Sequence, residues 1–351
     1  MQRQQRGGFT LLEILVVIGI ITLILALIMP TIQRIRASAD QLICGNHLRQ
    51  LGTAAHHFHG DYGRLPPGYL GPSLEKNEQL PDFYFEGQWI GHFPLLLPYL
   101  EEKKVFEQLD VSFNPSEVSA CKWFWRAPTT GPGLPHVGNY AVAMKSIKVL
   151  RCPSAANYIT PIGNTDQKGG GTILGMHLYQ SPAFGVNTVG WKDEYGPASI
   201  YRPLGRTNYV GVAGTGLGSD AHLSRYEGIY TNRSKISLGQ LAVQDGTSNT
   251  LLYGEICGST WSSSVESYDL SWMGAGSLST YGGLHRGLNA PFTAFSSYHV
   301  QGVNFCFADG SVRLVRYRQT SIKQSEDWYI LQELAGKHDG GLRDASILVA
   351  D

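Results

Sequence analysis

MQRQQRGG at positions 1–8 runs directly into FTLLEILVVIGIITLILALIM at 9–29, a polar octapeptide followed by 21 residues with a single ionisable side chain, Glu13. As a helix the apolar run rises about 32 Å, enough to span a bilayer. A secretory signal has a shorter apolar region and a small-residue cleavage site behind it. Here the run is followed instead by Pro30, Arg34 and Arg36, so removal after it is not expected. Arg3 and Arg6 favour the cytoplasmic side for the octapeptide, while Arg34 and Arg36 pull the other way. A carboxylate at position 13 costs about 2.5–3.5 kcal/mol on insertion scales, so it predicts a cationic partner.

Working outward, the helical pattern continues past Pro30. Ile32, Ile35, Ala39 and Leu42 follow a three-four spacing, and Leu48, Leu51, Ala55 and Phe58 repeat it. One stripe is therefore expected to pack on a globular body. Gly60 and the turn at Pro66-Pro67-Gly68 are expected to end a helix about 75–80 Å long, bent at Pro30. Beyond residue 60 no second apolar span or repeat is found. LLLPYLEEKKVFEQL predicts a helix over Leu95 to Leu109, and much of the remainder reads as short strands and loops. In YHVQGVNFCFADGSVRLVRY, Asp309-Gly310 predicts a two-residue type I′ hairpin. That turn sets Phe307 against Val312 and Phe305 against Leu314 on an apolar face, with Cys306 against Arg313 and Asn304 against Val315 on the other.

Composition narrows the function classes. Lys and Arg number 28 and so do Asp and Glu, which gives no basic surplus for nucleic acid. The 42 Gly, 17 Pro and 18 Tyr suit short strands and turns rather than a helical bundle. Cys44, Cys121, Cys152, Cys257 and Cys306 include no C-x-x-C pair, against a zinc ribbon or a thioredoxin-like site. If the body is exported, one or two disulfides are expected among them, with the partners left open.

RGGFTLLEILVVIGII resembles the class III signal of type IV pilins and type II secretion pseudopilins. The resemblance implies that a prepilin peptidase cuts after Gly8 and methylates the new N-terminus, Phe9. It implies that Glu13 neutralises the N-terminal amine of a neighbouring subunit, and that Pro30 kinks the helix. The body resembles the family of unknown function DUF1559, also labelled SBP_bac_10, whose members join a pilin-type N-terminus to a β-rich domain. The matching pieces are Cys44-Gly-Asn46-His-Leu48-Arg-Gln50, Leu65-Pro-Pro-Gly68, Leu97-Pro-Tyr-Leu-Glu101, Cys152-Pro-Ser154, Asp245-Gly-Thr-Ser-Asn-Thr250 and the segment His299 to Gly310. In the last piece nine residues separate His299 from Asp309-Gly310, the spacing of the family's C-terminal motif. Gly45 and His47 stand where members often carry other polar residues, and about 30 residues follow the hairpin. The family carries no established biochemical activity.

Several groups invite a chemical reading, each beside a plainer one. His299 and Asp309 have the types of an acid/base pair or metal ligands, but a turn aspartate and a strand-side histidine making hydrogen bonds need no chemistry. His47, His56, His57 and His59 with Asp61 crowd the end of the long helix, where a transition-metal site competes with a polar helix end. Asp245, Thr247, Ser248 and Asn249 offer oxygen ligands suited to calcium, yet without the ligand alternation of an EF-hand. Hydrogen bonds to the local backbone are the alternative use. GVAGTGLG at 211–218 has neither dinucleotide-fingerprint order nor a P-loop ending. No G-x-S-x-G or H-E-x-x-H is present. Trp89, Trp123, Trp125, Trp191, Trp261 and Trp272 would serve either a core or a glycan-binding surface.

The expectation is an α+β, pilin-like chain: leader 1–8, transmembrane helix 9–29, amphipathic extension 30–60 and a largely antiparallel, β-rich domain 61–351. It is expected to be a non-enzymatic subunit without cofactor, calcium being the alternative, single-pass in the inner membrane with its body exported to periplasm or cell surface. Its partners would be prepilin peptidase, pilin-like subunits, an assembly platform and the membrane, with no nucleic acid. The second reading is a cell-envelope binding module, for glycan or another polymer, that uses the helix only as an anchor.

Overall fold

The computed structural model describes residues 11–71, 88–112, 114, 137–155, 170–181, 185–194, 204–215, 221–260, 267–287, 290–341 and 343–350. The chain divides into two compact units, Met1–Leu42 and Ile43–Asp351.

The first unit holds the apolar part of the helix α1, Leu11–Tyr62, whose helical assignment runs unbroken through Pro30. This helix is long and apolar enough to cross a membrane. Its side chains before residue 40 are all exposed, Ile32 and Ile35 included. Of the stripe expected from Ile32 to Leu42, Ile32, Ile35 and Leu42 are all exposed, Leu42 by 71 %.

The second half of the stripe behaves differently. Cys44, Leu48, Leu51, Ala54, Ala55 and Phe58 are buried completely and belong to the core of the second unit. Their three-four spacing keeps them on one side of the helix, which is what burial against a sheet requires. Close approach depends on Gly52, where a Cβ would stand 2.5 Å from Sγ of Cys306. The helix stops at Tyr62, between the two expected stop signals at Gly60 and Pro66-Pro67-Gly68. Gly63 takes φ +67° and its N–H bonds the carbonyl of His59 at 2.8 Å, a glycine C-terminal cap.

The body is β-rich. Its main sheet runs in the order Val349–Ala350, Val312–Arg316, Gly302–Phe307, Leu251–Glu255, Tyr209–Gly214 and Ser277–Ser279. All neighbours in it are antiparallel except the last pair. A second sheet is ordered Gly185–Glu194, Gly170–Ser181, Ser267–Ser271 and Arg206–Thr207, with Ser259–Thr260 also on Ser267–Ser271. Leu284–Arg286 and Phe295–Ser297 form a parallel pair. Gly302–Phe307 lies inside the main sheet and is buried at every position. A capping box at Ser237 and Gln240 opens the short helix Leu238–Val243, and Ser325 caps Glu326–Ala335.

Two expectations are corrected here. The hairpin register is shifted by one residue: Phe305 faces Arg313, Asn304 faces Leu314 and Cys306 faces Val312. The turn has three residues, not two. Gly310 N–H bonds the carbonyl of Phe307 at 2.9 Å, and Phe307 N–H bonds the carbonyl of Ser311 at 2.8 Å. Only Gly310 has positive φ, +84°. A type I′ turn needs positive φ at both central residues, whereas a type I turn closed by a left-handed glycine needs one. Asp309 settles the choice by accepting Ser311 N–H at 2.8 Å, a side-chain bond that fixes the turn.

The helix expected over Leu95 to Leu109 is broken into Phe93–Leu96, a 3-10 turn Leu97–Tyr99 and Lys103–Phe106. Pro98 removes a helical donor, and Glu101 takes a left-handed φ of +62°. Leu100 and Glu102 N–H then both bond the carbonyl of Leu97, at 3.2 and 3.1 Å, closing the turn.

His92 sits among aromatic rings in the core, stacked on Tyr230 at 4.7 Å with an interplanar angle of 8°. Its Nδ1 lies 3.4 Å from the carbonyl of Gly68, and Nε2 has no hydrogen-bond partner. Burial pushes its pKa down to about 3, with the Gly68 carbonyl pulling weakly upward. The folded chain thus keeps this ring neutral where an unfolded chain would protonate it. A depressed folded pKa means full stability above the unfolded value near 6.5 and progressive loss as pH falls from there toward 3. His92→Phe is expected to flatten that acid decline, worth about 2–3 kcal/mol between pH 6.5 and 4.5 at about 1.4 kcal/mol per pH unit. Urea midpoints of both proteins across this range check it; parallel pH profiles would show that His92 is not the titrating group.

Candidate functional site

The sequence expectation joins His299 to Asp309, and the structure gives them different partners. Asp309 is exposed and occupied by its turn. His299 is buried, 5 % exposed, and its Nε2 lies 3.1 Å from Oε1 of Glu255. Glu255 ends the strand Leu251–Glu255, and its own exposure is 2 %. Its Oε2 accepts the backbone N–H of Asn304 at 2.8 Å, and its Oε1 accepts the side-chain amide of Asn304 at 3.2 Å. Tyr317 O–H donates to the backbone carbonyl of His299 at 2.9 Å and to that of Ser297 at 3.0 Å. His299 N–H in turn bonds Oγ of Ser297 at 3.2 Å. The ring and the carboxylate are thus held by the central strand and by its entry loop.

Against this pair lies a disulfide between Cys44 and Cys152, with a Cα separation of 5.2 Å. One ligand atom each from Cys44, Cys152, Glu255 and His299 all fall within 4.8 Å of one another. Cys44 arrives from the helix and Cys152 from the segment after the turn Lys148–Leu150. Asn208 fixes that segment by accepting Cys152 N–H at 3.0 Å and donating its side chain to the carbonyl of Ile256 at 3.2 Å. Cys257 and Cys306 are buried thiols, and burial pushes both pKa values up, Cys306 to about 12. A thiolate is disfavoured at either position, so neither is an activated nucleophile.

The helix-end histidines disperse rather than converge. His47 meets Tyr209 O–H at 3.3 Å through Nδ1, and burial lowers its pKa. His56 Nε2 lies 2.8 Å from the carbonyl of Ala308, while His59 Nε2 accepts Leu238 N–H at 3.1 Å. His57 stacks on Tyr99, whose O–H donates to Asp61 at 2.6 Å. These side chains fasten the helix to the body.

In the oxygen-rich loop the side chains and carbonyls make hydrogen bonds to nearby backbone. Both carboxylate oxygens of Asp245 accept backbone N–H groups, from Asp339 at 2.9 Å and Gly340 at 3.1 Å. Thr247 gives its backbone carbonyl to Asp309 N–H at 3.0 Å, and Asn249 donates its side chain to the carbonyl of Asp245 at 3.1 Å. Asp339 is pushed up to about 7 by burial and then by Asp245. Of the glycine run 211–218, the described part continues a strand, and Gly211 lets Tyr230 approach: a Cβ there would stand 2.6 Å from its ring. Trp89 and Trp272 are core residues, 2 % and 0 % exposed. The side chains of Trp123, Trp125, Trp191 and Trp261 lie outside the described residues, as do Gly8 and Phe9.

Sequence reasoning missed Glu255, although a signal was present. LLYGEICG at 251–258 sets one acid inside an apolar run, and a carboxylate so placed must be buried with donors around it. The two sulfurs were visible, but five cysteines leave their pairing undetermined.

No curated protein and no solved structure is found to match this chain. Residues 3–29 match the prokaryotic N-terminal methylation motif. With the apolar helix, that match makes this a prepilin-type processed, pilin-like protein with an N-terminal membrane anchor. The motif implies processing by prepilin peptidase and assembly with pilin-like subunits. Residues 33–320 match the family described as a protein of unknown function, DUF1559, and carry the whole Cys44, Cys152, Glu255 and His299 group, so the chain belongs to the DUF1559 family.

Proposed function

We propose that the chain is a non-enzymatic, membrane-anchored subunit of a type II secretion or type IV pilus-like assembly. The observation that carries this reading is the apolar helix with one early carboxylate. Leu11 is 84 % and Leu27 69 % exposed, surface that a single chain in water cannot sustain. Bilayer lipid covers it first and neighbouring helices later. Glu13 then finds its cation in the freed amine of Phe9 on an adjoining subunit, because a carboxylate in an apolar medium needs a charged or strongly donating partner. The chain crosses the inner membrane once and carries its body outside the cytoplasm. The disulfide supports that side, since such bonds persist in oxidising compartments. The buried Glu255–His299 pair has its hydrogen bonds filled by Asn304 and the strand, which suits a structural purpose better than turnover.

Glu13→Ala is expected to insert and lose its leader normally while its incorporation into filaments falls at least tenfold. Cross-linking in native membranes with intact-mass analysis reads the mature start and the neighbours together. Unchanged incorporation would remove Glu13 from assembly, and an intact chain still beginning at Met1 would remove the processed-subunit reading itself.

A further inference from the structure

The disulfide and the Glu255–His299 pair occupy one buried spot, and their chemistry is that of a ligand set. Two sulfurs, an imidazole and a carboxylate fall within 4.8 Å of one another. All four residues are buried, and they come from the long helix, the Cys152 segment, the end of one strand and the entry to the next. Among the described residues, the basic side chain that lies against the Glu255 carboxylate is His299. We infer that reduction of Cys44–Cys152 converts this spot into a tetrahedral site for a thiophilic divalent ion of the zinc type.

The geometry needs little rearrangement. Zinc bonds of about 2.3 Å to sulfur and 2.0–2.2 Å to nitrogen or oxygen put tetrahedral ligands roughly 3.3–3.8 Å apart. His299 Nε2 and Glu255 Oε1 are already 3.1 Å apart. The other ligand atoms close in by about 1.5 Å at most from their 4.8 Å limit, and the sulfurs part once their bond is broken. The supporting contacts are in place: Asn304 holds the carboxylate from two donors, and Tyr317 anchors the backbone of His299. Outer contacts of this kind orient metal ligands. Two thiolates with imidazole and carboxylate select zinc over calcium or magnesium, which take oxygen ligands.

The chemistry balances with a thiol reductant. Two thiols, or one dithiol, reduce the bridge: the protein S–S bond breaks, one S–S bond forms in the reductant, and two protons move to Cys44 and Cys152. Metal binding then displaces those two protons. The helix segment is held to the Cys152 segment in both states, covalently when oxidised and through the ion when reduced.

The test uses the full chain in detergent with Cys121→Ser, so that the described cysteines alone remain. The oxidised protein, its fold checked by circular dichroism, is reduced with a phosphine without air and titrated with cobalt(II). One cobalt per chain is expected, with thiolate-to-metal charge transfer and the strong visible bands of tetrahedral cobalt, both abolished by zinc. The oxidised protein should show neither band. His299→Gln forms the same disulfide when oxidised, so its fold is verified first; after reduction it should bind cobalt at least tenfold more weakly. Reduced protein that gives no charge-transfer band overturns the proposal. So does an identical spectrum and affinity in His299→Gln, which would mean that thiolates bind cobalt without the buried site.

Discussion

Cys44→Ala with Cys152→Ala is expected to lower the unfolding free energy of the oxidised protein by about 2–5 kcal/mol. The bridge joins positions 108 residues apart. In the chain-entropy model a loop of that size restrains the unfolded chain by about 4.8 kcal/mol, toward the upper end of measured values. The folded state loses less, because Leu48, Leu51, Ala55 and Phe58 still pack the helix against the body. Damage should therefore be local as well as global. Amide exchange should speed first around Cys44, where the helix enters the core, and around the Cys152 segment. Urea titration followed by tryptophan fluorescence reads the stability, aided by the buried Trp89, Trp272 and Trp328. Each single substitution should cost nearly as much as the pair, since one bond is lost in every case. An unchanged midpoint in the double variant would mean that the bridge does not restrain the unfolded ensemble.

Much of the architecture was legible because it depends on local rules. The apolar run, the three-four stripe from Leu48 to Phe58 and the broken glycine- and tyrosine-rich body each follow from patterns within a few residues. The hairpin shows where such reading stops. Asp309-Gly310 is compatible with a two-residue or a three-residue turn, and the alternation of NFCF against VRLV could not arbitrate. Alternation carries information when one face meets water, and every residue of Gly302–Phe307 is buried. Helix packing against Cys306 through Gly52 covers one side of that strand, a contact between residues 254 positions apart. The stretch Leu95 to Leu109 failed for another reason: one proline and one left-handed glutamate outweigh a helical composition.

The site was half legible. His299 stood out by type and motif, but Asp309 was the nearest acid in sequence and not the one in space. The acid that binds it lies 44 residues earlier, across a strand pairing no local rule predicts. The four helix-end histidines show the converse. They are crowded in sequence because a helix end must be fastened at many points, and each finds a different carbonyl, amide or ring. Proximity along the chain is thus weak evidence for a shared site, whereas a lone charge within an apolar strand is strong evidence for a buried partner.

Glu255→Ala should be among the most damaging single changes in the body, costing about 3–5 kcal/mol in the oxidised protein. The methyl group leaves Asn304 N–H, the Asn304 amide and the His299 ring without their acceptor, in a place water does not reach. Each orphaned donor costs about 1–3 kcal/mol, and the costs overlap because the three donors relax together. Glu255→Gln keeps one acceptor oxygen and nearly the same volume, so it should cost clearly less. Adding His299→Ala to Glu255→Ala should cost less than the sum of the two singles, because the second change removes a donor the first has already orphaned. A coupling of about 0.5–3 kcal/mol is expected for such neighbours, and urea midpoints of the four proteins give it. If Ala and Gln at position 255 were equally tolerated, the carboxylate would not be organising the central strand. Since the measurement is made with the disulfide intact, it isolates what this group does for the fold from what its ligand atoms do after reduction.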